Sequence, residues 1–126
     1  MRWYMSAPVT YLGFNIADSM FDDVGDCLIL RSKTDFLRVR NALKKGVVSC
    51  LNPSHKNTIA ELERRYQVSL PVPARPERVT LKKGDTIIII SSRGLPRKTG
   101  NIVEFSAEEL KRASFNFATY TLLEHK

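Results

Sequence analysis

The sequence predicts an α/β (α+β) fold, a single mixed β-sheet of about five strands flanked by about three helices. Three observations predict it. Runs rich in β-branched and aromatic residues recur at VTYLGF (9–14), CLIL (27–30), VVSCL (47–51) and TIIIIS (86–91). Between them lie segments with apolar residues at helical spacing and capping signals at their ends. The chain has 126 residues, 43% of them apolar, which suits one domain over 1–126 with one buried core.

Taken in order, residues 9–14 form the first strand, 15–23 carry no clear pattern, and 27–30 form a short second strand. Thr34 then caps a helix over 35–45. Asp35 in its first turn and Lys44 and Lys45 in its last suit the helix dipole. Phe36, Val39 and Leu43 share one face, and Gly46 ends the helix. Residues 47–51 read as a buried strand. A helix over 59–66 follows, with Thr58-x-x-Glu61 as its capping box and Ile59, Leu62 and Tyr66 on one face. PVPARP (71–76) is an extended connection, 79–81 a further candidate strand, and LKKGD (81–85) a turn. TIIIIS is apolar on both faces, which places it at the centre of the sheet. RGLPRKTG (93–100) is a basic loop in which Arg97 and Lys98 read as solvated charges. SAEELKR (106–112) is a short helix with Ser106 and Glu109 as a capping box. A strand over 115–123 closes the chain, its Phe115, Phe117 and Tyr120 read as core packing rather than as a base-stacking surface.

Lysine plus arginine number 20 against 13 acidic residues, a net charge of +7. That balance favours an anionic partner such as a nucleotide or nucleic acid. The longest aliphatic run, 87–90, is far below the roughly 20 residues of a membrane span. The start, MRWYMSAPV, lacks the apolar core of a signal peptide, and Cys27 and Cys50 do not make a secreted disulfide framework. The setting these features predict is cytoplasmic, without a membrane partner. Neither GxxxxGK[ST] nor GxGxxG occurs, and His55, Cys27 and Cys50 lack paired metal-ligand spacing, so no metal and no cofactor is expected.

The stretch that carries chemistry is NPSHKNT (52–58), which connects an apolar strand to a helix start. Loops at that junction favour anions, because backbone N–H groups and the helix dipole point at them. Ser54, Lys56 and Thr58 add donors, and His55 adds a group that exchanges a proton near neutral pH. An RNA phosphodiester carries its own nucleophile, the 2′-hydroxyl. A site that aligns this hydroxyl, neutralises charge and protonates the leaving oxygen needs one histidine and a few donors. The same residues also fit a structural helix start in a basic nucleic-acid-binding protein. Arg75 in PVPARP is a further loop cation, and Arg93, directly after the central strand, fits either a phosphate contact or a solvated loop charge.

Four segments together resemble the viral ring nuclease family, small anti-CRISPR proteins of archaeal viruses with cellular and phage relatives. YLGFNIADSM resembles its opening strand and polar turn, and SCLNPSHKNT its strand ending in a Gly-His-x-x-Thr turn. LPVPARPERVTLKKGDTIIII is similar to its arginine-containing stretch, Gly-Asp turn and hydrophobic strand. SSRGLP and EFSAEEL are similar to its Arg-Leu-Pro loop and acidic helix start. The resemblance implies a homodimer that binds cyclic tetra-adenylate, a messenger of type III CRISPR defence, and opens it by attack of a ribose 2′-hydroxyl on the adjacent phosphate. It implies His55 as the general acid, and Arg93, Arg75, Ser54 and Asn15 as ligand contacts. Ser54 stands where the family has glycine, Lys56 where an acid is frequent, and PRKTG lacks the family's acid. These departures leave two alternatives open beside catalysis: a sponge that binds the ring uncut, and a dimeric nucleic-acid-binding regulator.

Overall fold

The computed structural model describes residues 7–75, 78–95 and 105–125. Five strands form one sheet in the order β2-β5-β4-β1-β3. They are β1 (Thr10–Gly13), β2 (Cys27–Thr34), β3 (Val48–Ser49), β4 (Thr86–Arg93) and β5 (Ser114–His125). Strand β1 runs parallel to β3 and β4, and β5 runs antiparallel to β2 and β4, so the sheet is mixed. The helices are α1 (Phe36–Lys45), α2 (Lys56–Tyr66) and α3 (Ala107–Lys111), with one 3₁₀ turn at Asp18–Phe21.

The TIIII run sits between β5 and β1, as its two-sided apolarity requires. Ile88 and Ile90 face one way, into a core with Leu12, Val39, Leu62 and Phe117. Ile87 and Ile89 face the other way, against Met20, Val79, Leu81 and Leu122. On the first face the Phe36 and Tyr66 rings stack at 4.0 Å, which fastens α1 to α2, and Phe117 meets both edge-on. Phe117 is thus core, as its strand position predicts.

Several boundaries differ from the sequence expectation. The cap of α1 is Asp35, whose carboxylate accepts from the Leu37 amide at 3.0 Å, while Thr34 remains in β2. Strand β2 continues past Leu30 through RSKT because those residues pair with β5, a partner no local pattern reveals. Strand β3 is only two residues long and lies at the sheet edge, with Val48 exposed rather than buried. Residues 79–81 belong to no strand, although Val79 and Leu81 are buried. Cys27 and Cys50 are not joined in a disulfide. The expectations for Arg97 and Lys98 fall outside the described residues.

Strand β1 comes unusually close to the chain that follows β3. A Cβ added to Gly13 would lie 2.8 Å from the Cys50 sulfur, which itself bonds the Leu12 carbonyl at 3.1 Å. Gly13→Ala must therefore push Cys50 aside. The expected cost is about 1–3 kcal/mol, as for other overpacked cores, read as a lower thermal midpoint.

Candidate functional site

The NPSH turn is built by its own hydrogen bonds. The Asn52 side chain accepts from the Ser54 amide at 2.9 Å, and the Asn52 carbonyl accepts from the His55 amide at 3.0 Å. The His55 carbonyl then accepts from Ile59 at 3.0 Å, the first helical bond. Helix α2 therefore starts three residues earlier than the apolar pattern suggests, with His55 as its N-cap. The proposed Thr58–Glu61 capping box is overturned, since Thr58 lies inside the helix and Glu61 is turned elsewhere.

The His55 side chain makes no capping bond. It is held by packing, with the Phe14 ring edge-on at a centroid distance of 5.5 Å. Both rings face a pocket of about 290 Å³ at the end of β4. Thr58 lines it from α2, and Ser91 and Ser92 line it from β4. Phe105 and Phe115 form its apolar wall. The Asn57 amide donates to the Phe105 carbonyl at 3.0 Å and ties that wall to the helix start.

Arg65 braces the wall from behind. It donates to the Ala113 and Leu110 carbonyls at 2.8 and 3.1 Å, capping α3, and its guanidinium lies 4.7 Å from the Phe115 ring centroid. It also meets the buried Glu61 carboxylate, which accepts from Arg64 at 2.7 Å and from Arg65 at 3.0 Å. The Arg64 hydrogen bond is the main cause holding Glu61 below the usual carboxylate range, against burial, with help from Arg65.

The other sequence candidates scatter. Thr58 joins His55 in the pocket. Ser54 and Lys56 are exposed on the outside of the turn, Asn15 is exposed beyond β1, and Arg75 is exposed at a bend in the connection. Arg93 lines a different pocket, with Arg31 and Lys33. Phe14, Phe105, Ser91 and Ser92 are not among the sequence candidates, and Phe115, which the sequence places in the core, lines the pocket as well. The two hydroxyls following TIIII were the available signal, since they stand where the central strand leaves its apolar core. Among the described residues, no group of three or more His, Cys, Asp or Glu is placed to hold a metal ion, and no helix is long and apolar enough to cross a membrane.

The fold and the site define a small mixed-sheet α+β protein with a histidine at a helix start, beside the exit of the central strand. That fold is shared with B116 of Sulfolobus turreted icosahedral virus, at 18% identity and a TM-score of 0.63, over 90% of this chain and 98% of that one. No protein-family model and no curated protein matches the sequence.

Proposed function

We propose that this chain is a metal-independent ring nuclease that opens cyclic tetra-adenylate and so switches off type III CRISPR signalling. The observation that carries the reading is His55 at the mouth of α2, its imidazole on a pocket that also holds hydroxyl groups and an aromatic wall. In the reaction a ribose 2′-oxygen attacks the adjacent phosphorus and gives its proton to water. The bond from phosphorus to the 5′-oxygen breaks, and His55 donates the proton that this oxygen needs. The products are a 2′,3′-cyclic phosphate and a 5′-hydroxyl. The positive end of the α2 dipole offsets charge on the phosphoryl oxygens. Phe105 and Phe115 offer an adenine an apolar surface.

The pocket, at about 290 Å³, sits at the low end of the roughly 300–1,000 Å³ of ligand sites. It suits one nucleotide unit, so a four-nucleotide ring calls for a second copy of the chain. A homodimer supplies two His55 turns to one symmetrical ring. In this reading Ser54 and Lys56 contact the ring from the rim of the turn, and Arg93, Arg75 and Asn15 reach it only across the dimer. The shared fold with a virus protein supports a viral gene acting in the host cytoplasm.

The test is incubation of the purified chain with labelled cyclic tetra-adenylate in excess EDTA. Conversion to linear fragments is the expected result. A ring that is retained by the protein and never opened would replace the enzyme with a sponge. Binding to duplex DNA with a steep salt dependence, and none to the ring, would replace it with a nucleic-acid-binding protein.

A further inference from the structure

Among the described residues, the sheet face opposite α1 and α2 is covered only in part. The 3₁₀ turn and residues 79–81 pack over Ile87 and Ile89. Further along β4, Ser91 and Arg93 point to the same side, since side chains alternate along a strand. Their register partners in β5 are Asn116 and Ser114. One strand over, Arg31 and Lys33 of β2 stand opposite Tyr120 and Ala118. Arg31, Lys33, Arg93 and Asn116 thereby line one pocket of about 310 Å³, separate from the His55 pocket except at Ser91.

The charge of this pocket favours an anion. Among the described residues, no ion pair engages Arg31, Lys33 or Arg93. Arg31 is oriented instead by the Tyr120 hydroxyl, which accepts from its Nε at 3.1 Å. Asn116 lines the same pocket, and its buried Nδ2 has no hydrogen-bond partner among the described residues. Three positive charges match a dianion with several acceptor oxygens better than a single carboxylate.

We propose that Arg31 and Lys33, with Arg93 at the edge, form a phosphate-binding subsite beside Asn116 on this second face. The ligand is a phosphate group, free or carried by a nucleotide. The proposal does not depend on ring cleavage, because Arg31 and Lys33 lie on the other face from His55 and carry none of the ring contacts proposed above, Arg93 alone being common to both.

The experiment is a ¹H–¹⁵N NMR titration of the full chain with inorganic phosphate and, separately, with adenosine 5′-monophosphate, following the Asn116 side-chain amide. Saturable movement of that signal is expected. In the Arg31→Gln/Lys33→Gln chain the affinity should fall at least about tenfold, the scale of one charge-assisted hydrogen bond. Lys33→Gln alone, which leaves the Arg31–Tyr120 contact in place, should weaken binding in the same direction. Tighter binding of the nucleotide identifies a nucleotide phosphate as the source, and equal binding identifies free phosphate. No saturable movement with either, or movement undiminished in the double variant, would overturn the proposal.

Discussion

His55→Ala is expected to lower the rate of ring opening by about a hundred- to ten-thousandfold, the usual contribution of a positioned general acid. The folded state should be nearly unaffected. His55 is the N-cap of α2, yet its side chain makes no capping bond, so alanine removes no helix stabilisation of the kind Ser or Asp gives there. What is lost is the edge-on contact with Phe14, about 0.5–1.5 kcal/mol at most. Affinity for the ring should also change little, since the helix dipole, Thr58 and the aromatic wall remain. The signature is therefore a large drop in single-turnover rate with a similar dissociation constant and melting point. Equal rates in the two proteins would sink the assignment of the acid.

Glu61→Ala is expected to cost about 3 kcal/mol of folding stability, the scale for removing one partner of a buried ion pair. The carboxylate is only 5% exposed, but its two partners are unequal. Arg64 is 61% exposed, so water screens its half of the interaction in part. Arg65 is 24% exposed, and it also caps α3 and lies against Phe115. Removing Glu61 strands that guanidinium and loosens the joint between α2 and α3. The wall of the His55 pocket should shift with it.

The same pair makes stability depend on acidity. The folded-state pKa of Glu61 lies below its ordinary 4.5, principally through the Arg64 hydrogen bond, so the folded chain holds this proton less tightly than the unfolded chain. Its contribution is fully present above the unfolded value, near 4.5, and is lost as pH falls through the lower folded value. Denaturant unfolding of wild type and Glu61→Gln should thus give a stability gap that is widest at neutral pH. The gap should close on acidification below about pH 4.5. A gap constant with pH would place the Glu61 contribution in packing rather than charge.

Much of the frame was legible because its signals are local. Four isoleucines in a row could only be a strand buried on both faces, and β4 is that strand. Ser106 and Glu109 do form the reciprocal cap that SAEEL announces, at 3.2 and 2.9 Å. The His55 turn was recognisable from its Asn-Pro and its position after an apolar run. What stayed hidden depends on partners far along the chain. The polar half of β2 is a strand only because β5 pairs with it. Helix α2 begins at Lys56 because the Asn52 turn prepares it, whereas the apolar spacing begins at Ile59. Phe14, Phe105 and Phe115 come from three distant segments, so no spacing could gather them around one histidine. The side on which Arg93 stands is set by strand alternation, which sends Ser92 toward His55 and Arg93 toward the opposite face.

The most direct test of the account is the chemistry of the ends it leaves. Labelled cyclic tetra-adenylate would be mixed with excess wild-type protein in EDTA, and the fragments weighed by mass spectrometry. The account predicts linear oligoadenylates with a 2′,3′-cyclic phosphate at one end and a 5′-hydroxyl at the other. An intact ring, or fragments bearing a 5′-phosphate, would contradict it.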